Sequence, residues 1–229
     1  MRFGGVVLCG GKSTRMGYPK ALLPFGSETT LQRVTRLLGE VVAPIAVVAS
    51  EGQALPALPN DAIVTHDRRA GRGPLEGLHA GLMTLQDACD AVYLTSCDAP
   101  RLAPAFVRRM TELLGDYQVA VPCDGAFCHP LAAVYRMDVL PLVEELLAED
   151  RLRLGLLFER AATRRIAMED LRSVDPDLAT LANLNDPSDY LNALAAEGLA
   201  PPAGILEHWT RESPETPENS TRSQRVRRR

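Results

Sequence analysis

The residues from Leu8 to Lys20 combine glycines and cations in an order that can bind phosphate. The segment reads Leu-Cys-Gly-Gly-Lys-Ser-Thr-Arg-Met-Gly-Tyr-Pro-Lys and follows the apolar stretch 3–8. Glycines let backbone N–H groups approach phosphate oxygens, and the charges of Lys12, Arg15 and Lys20 neutralise them. We therefore predict a polyphosphate-binding loop. A plain glycine-rich turn is the alternative, but such a turn requires no cations.

The spacing within this signature loop (residues 8–20) excludes two common phosphate-binding motifs. A P-loop needs glycine five positions before its Gly-Lys-Ser, and that position is Val6. The dinucleotide fingerprint Gly-x-Gly-x-x-Gly is also absent, because the glycines stand at 10, 11 and 17. The order Gly-Gly-x-x-x-Arg-Met-Gly-x-x-Lys instead resembles the signature of nucleotidyltransferases with the GT-A-like fold. Those enzymes transfer a nucleoside monophosphate from a nucleoside triphosphate and release pyrophosphate.

A second candidate site follows the apolar run 91–96, where the chain continues as Cys97-Asp98-Ala99-Pro100. Ligands of open α/β sheets bind at the carboxyl ends of the strands, so Asp98 should lie beside the signature loop. A carboxylate next to a triphosphate is repelled unless a divalent cation lies between them, and Mg²⁺ binds carboxylates together with phosphate oxygens. Asp98 is therefore a candidate magnesium ligand, with an N-cap of the next helix as the alternative.

Two more segments carry polar side chains that can contact a ligand. The segment 66–77 is rich in Gly and Arg, and Asp67 within it can accept hydrogen bonds from a ribose or a guanine. Its arginines can meet phosphate or form ordinary surface charge, and Asp67 can equally be a turn former. Asn183 and Asn185 share one face of an extended chain, where their amides can contact a ligand or serve turn and cap chemistry.

Apolar runs alternate with helical patterns along most of the chain, which predicts a three-layer α/β fold with a mostly parallel sheet. Strands are predicted at 3–8, 45–49, 62–65, 91–96, 118–122 and 131–135. Thr29-x-x-Gln32 predicts a capping box at a helix start, and Asp186-Pro187 predicts an N-cap. Residues 199–229 are rich in Pro, Glu, Ser, Thr and Arg, so we expect a polar, largely disordered tail in which Trp209 packs locally.

The composition restricts the class of protein and its surroundings. The chain has 229 residues, a net charge of -4 and a sequence pI of about 5.6, which argues against a nucleic-acid binder. It has neither a long apolar run nor a signal-peptide pattern. Its five cysteines include no C-x-x-C pair, so neither a disulfide framework nor a zinc site is indicated, and Cys123, Cys128 and His129 lack a fourth ligand. We therefore expect a cytoplasmic protein without membrane contacts.

Together, residues 3–197 resemble the molybdenum cofactor guanylyltransferase family. The resemblance implies a Rossmann-like, GT-A-like nucleotidyltransferase domain over 1–198 that transfers GMP from GTP to Mo-molybdopterin with Mg²⁺ as cofactor. The product would pass to molybdoenzymes or their chaperones. The resemblance assigns GTP contacts to Leu8, Cys9, Gly10, Gly11, Lys12, Arg15, Lys20, Asp67 and Asp98, a metal ligand to Asp98, and the pterin side to Asn183 and Asn185.

The implied reaction is a direct displacement at the α-phosphorus of GTP. The attacking phosphate is already ionised, so the protein only has to align the reactants and neutralise charge. Lys20 and Asp98 would act at the reacting phosphate, while Lys12 and Arg15 would hold the departing pyrophosphate. The pair Gly10-Gly11 favours GTP over CTP, since the related cytidylyltransferases tend to have Ala-Gly at these positions. A CTP-dependent molybdopterin or sugar-phosphate nucleotidyltransferase and a non-catalytic nucleotide-binding homologue remain the alternatives.

Overall fold

The computed structural model describes residues 1–11, 13–59, 62–69 and 71–212. Its strands are β1 (Phe3–Leu8), β2 (Pro24–Phe25), β3 (Glu28–Thr29), β4 (Ile45–Ala49), β5 (Ala62–His66), β6 (Ala91–Ser96), β7 (Val119–Asp124), β8 (Phe127–Cys128), β9 (Ala133–Arg136) and β10 (Thr163–Ala167). Its α-helices are α1 (Thr30–Gly39), α2 (Pro74–Leu85), α3 (Pro104–Leu113), α4 (Leu140–Ala148), α5 (Leu157–Arg160), α6 (Pro187–Ala196) and α7 (Ala203–Glu212).

The main sheet has the strand order β10-β7-β9-β6-β1-β4-β5, and β8 pairs with β7. β1 pairs in parallel with both β4 and β6, and β10 pairs in parallel with β7. β9 is antiparallel to both of its neighbours, β6 and β7. The predicted mostly parallel sheet is confirmed. Because β1 and β6 are adjacent and parallel, the segments that follow Leu8 and Ser96 leave the sheet at the same edge.

Helices cover both faces of the sheet and form three layers. Val6 and Val7 are both fully buried on β1, and they belong to different core clusters. Val6 shares its cluster with Leu78 of α2, and Val7 shares its cluster with Leu31 of α1. A Cβ at Gly81 of α2 would lie 2.6 Å from the Val6 side chain, so the helix backbone packs directly on the strand. This packing holds the end of β1 rigidly for the loop that follows.

The predicted helix starts at Thr29 and Asp186 are confirmed by their hydrogen bonds. The Gln32 amide donates to Thr29 Oγ1 at 3.3 Å, and the Thr29 amide donates to Gln32 Oε1 at 2.9 Å, which completes the capping box. Asp186 Oδ1 accepts from the amides of Ser188 and Asp189 at 2.9 Å and 3.1 Å. Both caps satisfy amides that otherwise lack partners in the first turn of a helix.

Helix α7 lies inside the segment 199–229, for which the composition predicts disorder, so the structure differs from that expectation over 203–212. Ile205 is 5% exposed in a third apolar cluster that includes Met16 and Tyr190. The Trp209 ring meets the Tyr190 ring edge-on at 5.6 Å. Apolar residues four apart form one helix face, and α6 supplies a surface for it; average composition does not reveal this. Residues 213–229 lie outside the described residues.

Cys123 and Cys128 form a disulfide across the β7–β8 hairpin, with their Cα atoms 4.0 Å apart. The expectation that no disulfide forms was wrong, because strand pairing brings two cysteines together at a spacing that no sequence motif marks. Cys9, Cys89 and Cys97 are buried free thiols. Among the described residues, no cluster of His, Cys, Asp and Glu forms a ready-made metal site. None of the described helices has the length and apolar content needed to cross a membrane.

Candidate functional site

A cleft of ≈ 730 Å³ opens at the carboxyl ends of β1 and β6. It brings together the signature loop, the segment after β5, the end of β6 and the segment before α6, which are far apart in sequence. Its lining residues are Leu8, Cys9, Gly10, Gly11, Ser13, Thr14, Arg15, Lys20, Val48, Ser50, Asp67, Gly71, Gly73, Pro74, Gly77, Ser96, Cys97, Asp98, Leu131 and Asn185. This is the edge at which open α/β sheets bind ligands.

Lys20 and Asp98 form an ion pair within this cleft. The distance from Lys20 Nζ to Asp98 Oδ2 is 2.8 Å, and the two side chains are 19% and 16% exposed. The Ser96 hydroxyl donates to the other oxygen, Asp98 Oδ1. A carboxylate and an ammonium thus face the space beside the glycines, where the sequence predicts that a phosphate binds.

The backbone of Lys20 is held on both sides. Its amide donates to Ser13 Oγ at 3.3 Å, and its carbonyl accepts from the hydroxyl of Thr30, the first residue of α1. Two different segments therefore fix the point from which the Lys20 side chain extends. Together with the ion pair to Asp98, these contacts order the Lys20 side chain before a ligand binds. Less conformational entropy is then lost on binding.

The beginning of the signature loop is tied to the loop after β4 through Gln53, which sequence reasoning missed. Gln53 Nε2 donates to the Cys9 carbonyl at 2.8 Å, and the Ser50 amide donates to Gln53 Oε1 at 3.0 Å. The Cys9 thiol is buried and donates to the Val48 carbonyl at 3.3 Å, so Cys9 presents backbone rather than sulfur to the cleft. A lone glutamine in a Pro/Ala/Leu-rich connector carries no sequence signal for this role.

Arg15 is exposed at the cleft, while Met16 beside it is fully buried. Hydrogen bonds from Ser188 and Asp189 lower the pKa of Asp186, and the nearby charge of Arg15 lowers it further. Among the residues the structure describes, Arg15 makes no ion pair within 4 Å. Its guanidinium can therefore meet a phosphate without first breaking a salt bridge. Lys12, the other predicted phosphate contact, lies outside the described residues.

Asp67 reaches the cleft from the end of β5. Its Oδ1 is buried and has no hydrogen-bond partner in the described chain. Burial raises the pKa of Asp67, and the carboxylate of Glu76 raises it further. A Cβ added at Gly10 would lie 3.1 Å from Ser50 Oγ and 3.9 Å from Asp67 Oδ2, so any side chain at this position would press against Ser50 at the entrance to Asp67. An unpaired buried acceptor costs free energy that a donating ligand would recover.

Arg72 lies in the same segment but turns away from the cleft. Its guanidinium donates to the Leu147 carbonyl at 2.6 Å and to Asp150 Oδ1 at 2.9 Å, both near the end of α4. It also pairs with Glu76 at 3.4 Å, and the Arg72 and Glu76 side chains are 15% and 4% exposed. Arg72 therefore anchors the glycine-rich segment to α4. The sequence left open whether the arginines of this segment contact phosphate or form ordinary surface charge, and Arg72 does neither.

The two predicted asparagines take different positions. The Leu184 amide donates to the Asp98 carbonyl at 2.8 Å, which holds Asn185 at the cleft. Asn185 Nδ2 donates to the Asn183 carbonyl at 3.2 Å. Asn183 itself is not among the residues that line the cleft. The backbone bond to Asp98 links the candidate acceptor side directly to the candidate metal ligand.

Comparison with known proteins identifies relatives of this chain. Residues 5–163 match the family described as the MobA-like NTP transferase domain. The chain is 35% identical over 193 residues to the "Probable molybdenum cofactor guanylyltransferase" of Pelotomaculum thermopropionicum, which covers 82% of this chain and 90% of the relative.

Solved structures share the fold at lower identity. Molybdopterin-guanine dinucleotide biosynthesis protein A from Archaeoglobus fulgidus matches with a TM-score of 0.71 and 20% identity, over 85% of this chain and 98% of the other. The 2-C-methyl-D-erythritol 4-phosphate cytidylyltransferase from Thermus thermophilus matches with a TM-score of 0.60 and 17% identity, over 85% of this chain and 98% of the other. The fold is therefore that of nucleotidyltransferases, including one that acts with a different base.

Proposed function

This chain belongs to the MobA-like NTP transferase family, and from that premise we propose that it is a molybdenum cofactor guanylyltransferase. It transfers GMP from GTP to Mo-molybdopterin and releases pyrophosphate. The observation that carries the proposal is the Lys20–Asp98 pair, 2.8 Å apart in a cleft bordered by Gly10 and Gly11. An ammonium and a carboxylate beside a glycine-rich loop suit phosphoryl chemistry, in which positioning and charge neutralisation do most of the catalysis.

In the proposed reaction, an ionised oxygen of the terminal phosphate of molybdopterin attacks the α-phosphorus of GTP. A new phosphorus–oxygen bond forms, the bond to the oxygen that bridges to the β-phosphate breaks, and pyrophosphate leaves with that electron pair. No general base is needed, because the nucleophile carries no proton at neutral pH. Lys20 stabilises the charge that develops on the α-phosphate, and Arg15 holds the departing pyrophosphate.

A divalent cation fits the carboxylate end of the cleft, and we propose Mg²⁺. The donor set is hard and sparse, with Asp98 as its carboxylate, and Mg²⁺ is commonly bound by one or two carboxylates plus substrate phosphates. The ammonium of Lys20 already lies against Asp98, and this ion pair supports the proposal that positive charge is favoured at this position. When bound there, Mg²⁺ would neutralise charge on the phosphates of GTP.

Asp67 and the glycine-rich segment support the nucleoside side of the proposal. The unpartnered Oδ1 of Asp67 can accept a hydrogen bond from the ribose or from the guanine N–H groups. Asn185, at the cleft and fixed through the Leu184–Asp98 backbone bond, faces the acceptor. We place the protein in the cytoplasm, where GTP is available. The recipients of the product would be molybdoenzymes or their chaperones.

Turnover measured with GTP, CTP and UTP tests the proposal. Each nucleotide is supplied with Mg²⁺ and either Mo-molybdopterin or a sugar phosphate, and pyrophosphate release is followed. We expect product only from GTP with Mo-molybdopterin. Asp98→Asn should lose at least about a hundredfold of this turnover, the scale of a lost electrostatic contact, whereas the exposed control Asp87→Asn should retain it. Turnover with CTP alone, or a fully active Asp98→Asn variant, would overturn the assignment.

A further inference from the structure

Helix α7 contacts the backbone of the signature loop at two consecutive residues. Trp209 Nε1 donates to the Met16 carbonyl at 2.7 Å. His208 Nε2 lies 2.7 Å from the Gly17 carbonyl, so this ring nitrogen carries the proton and donates it. These two carbonyls lie between Arg15 and Lys20, the residues to which the proposed function gives phosphate contacts.

Ring packing supports both hydrogen bonds. The Tyr18 and His208 rings meet edge-on at 5.3 Å, and the Trp209 ring meets Tyr190 edge-on at 5.6 Å. Met16 is fully buried in the same cluster as Ile205. Met16 of the signature loop thus packs into the apolar cluster that α6 and α7 share. The rings of His208 and Trp209 donate hydrogen bonds to the two neighbouring carbonyls of the loop.

The other side of this turn is held from within the loop. The amides of Met16 and Gly17 both donate to the Ser13 carbonyl, at 3.0 Å and 3.1 Å. Gly17 has a φ of 64°, a conformation in which side chains are disfavoured. The amides of Met16 and Gly17 bond within the loop, and the carbonyls of the same two residues bond to α7. These hydrogen bonds on both sides hold the turn in one orientation. Because Arg15 lies within this turn, between Ser13 and Gly17, its direction toward the cleft depends on that orientation.

We propose that His208 and Trp209 are positioning residues that orient Arg15 and Lys20 for the triphosphate. The inference rests on the proposed function for the identity of the ligand. Neither side chain lines the cleft, so both act through the loop backbone and not by contact with the nucleotide. Loss of one such hydrogen bond should weaken binding of GTP about three- to tenfold, because a net hydrogen bond is worth roughly that factor. Preorganisation of the loop is the property that changes.

Trp209→Phe and His208→Phe test this inference, because each keeps an aromatic ring and removes the N–H donor. Leu206→Ala on the same helix is the control, since Leu206 is 39% exposed. Amide hydrogen exchange of the peptide covering 13–20 is measured without nucleotide, and the dissociation constant of GTP with Mg²⁺ is measured by calorimetry. We expect faster exchange and about three- to tenfold weaker binding in both Phe variants, with the control unchanged. Trp209 is the single tryptophan, so its emission should also change as GTP binds the wild type.

The outcomes separate this inference from the proposed function. Unchanged loop exchange in a folded His208→Phe or Trp209→Phe protein would overturn the inference, and so would faster exchange with unchanged GTP affinity. Should Trp209→Phe not fold, His208→Phe carries the test alone. A wild type that binds GTP but transfers no GMP refutes the proposed function, while exchange and affinity still decide the role of α7. A wild type that binds no nucleotide refutes both.

Discussion

Replacing Lys20 by Met should leave the Asp98 carboxylate without its counter-ion, while the Ser96 hydroxyl continues to donate to it. Two unit charges at the observed 2.8 Å attract by about 1.5 kcal/mol in bulk water and by about 6 kcal/mol at an effective dielectric constant of roughly 20. The side chains are 19% and 16% exposed, so the pair lies between these limits. Lost hydration offsets part of the attraction, and we expect a net coupling of about 2 kcal/mol.

A double-mutant cycle measures this coupling. Urea unfolding is recorded for the wild type, Lys20→Met, Asp98→Asn and the double variant, and the coupling is the departure of the double variant from additivity. The double variant should be more stable than the two single changes predict, because it removes both charges of the pair and leaves neither without its partner. A coupling below about 0.5 kcal/mol, the usual error of additivity, would refute the electrostatic reasoning.

Turnover of the same four proteins should behave differently from their stability. Each single change should reduce turnover of GTP by at least about a hundredfold. The double variant should be no worse than the poorer single variant, because residues that act as one unit are not additive. Recovered stability with unrecovered activity would separate the role of the pair in folding from its role at the phosphate. Recovery of both together would contradict the proposed role of Lys20 and Asp98.

Three further predictions concern the surroundings of the cleft. Arg72→Met should lower the free energy of unfolding by about 3 kcal/mol, because it leaves the carboxylate of Glu76 buried without a partner. Adding Glu76→Gln should recover part of the lost stability. A loss below about 1 kcal/mol in urea unfolding of Arg72→Met would contradict the prediction. Burial raises the pKa of Asp67, so the wild type should lose stability relative to Asp67→Asn as the pH rises from the ordinary aspartate pKa through the raised one. The affinity of the wild type for GTP should increase over the same pH range. If the differences between the two proteins in urea unfolding and in calorimetry did not change with pH, this prediction would be contradicted. Burial raises the pKa of the Cys9 thiol to about 12 and that of Cys97 well above its usual range, so mass spectrometry should find iodoacetamide on neither in the native protein at mildly alkaline pH, and on both after denaturation.

Features that depend on neighbouring residues were predictable from the sequence. The capping box at Thr29 and Gln32 and the N-cap at Asp186 follow from hydrogen bonds that span three residues. The strands Ile45–Ala49 and Ala91–Ser96 have the predicted bounds, because each is a run too short for a typical helix and rich in apolar and β-branched residues. The glycines and cations of the signature loop and Asp98 predict a phosphate site through residue type and spacing, and that site stays a prediction.

Contacts between distant segments were decided only by the tertiary structure. Lys20 and Asp98 are 78 residues apart and meet because β1 and β6 are adjacent in the sheet. Trp209 lies 193 residues from the Met16 carbonyl that it binds, and its segment has a composition that suggested disorder. Residue types and short spacings determine which chemistry the chain can perform, since hydrogen bonding and hydrophobic period act locally. The order of the strands determines which side chains meet, and no local pattern encodes that order.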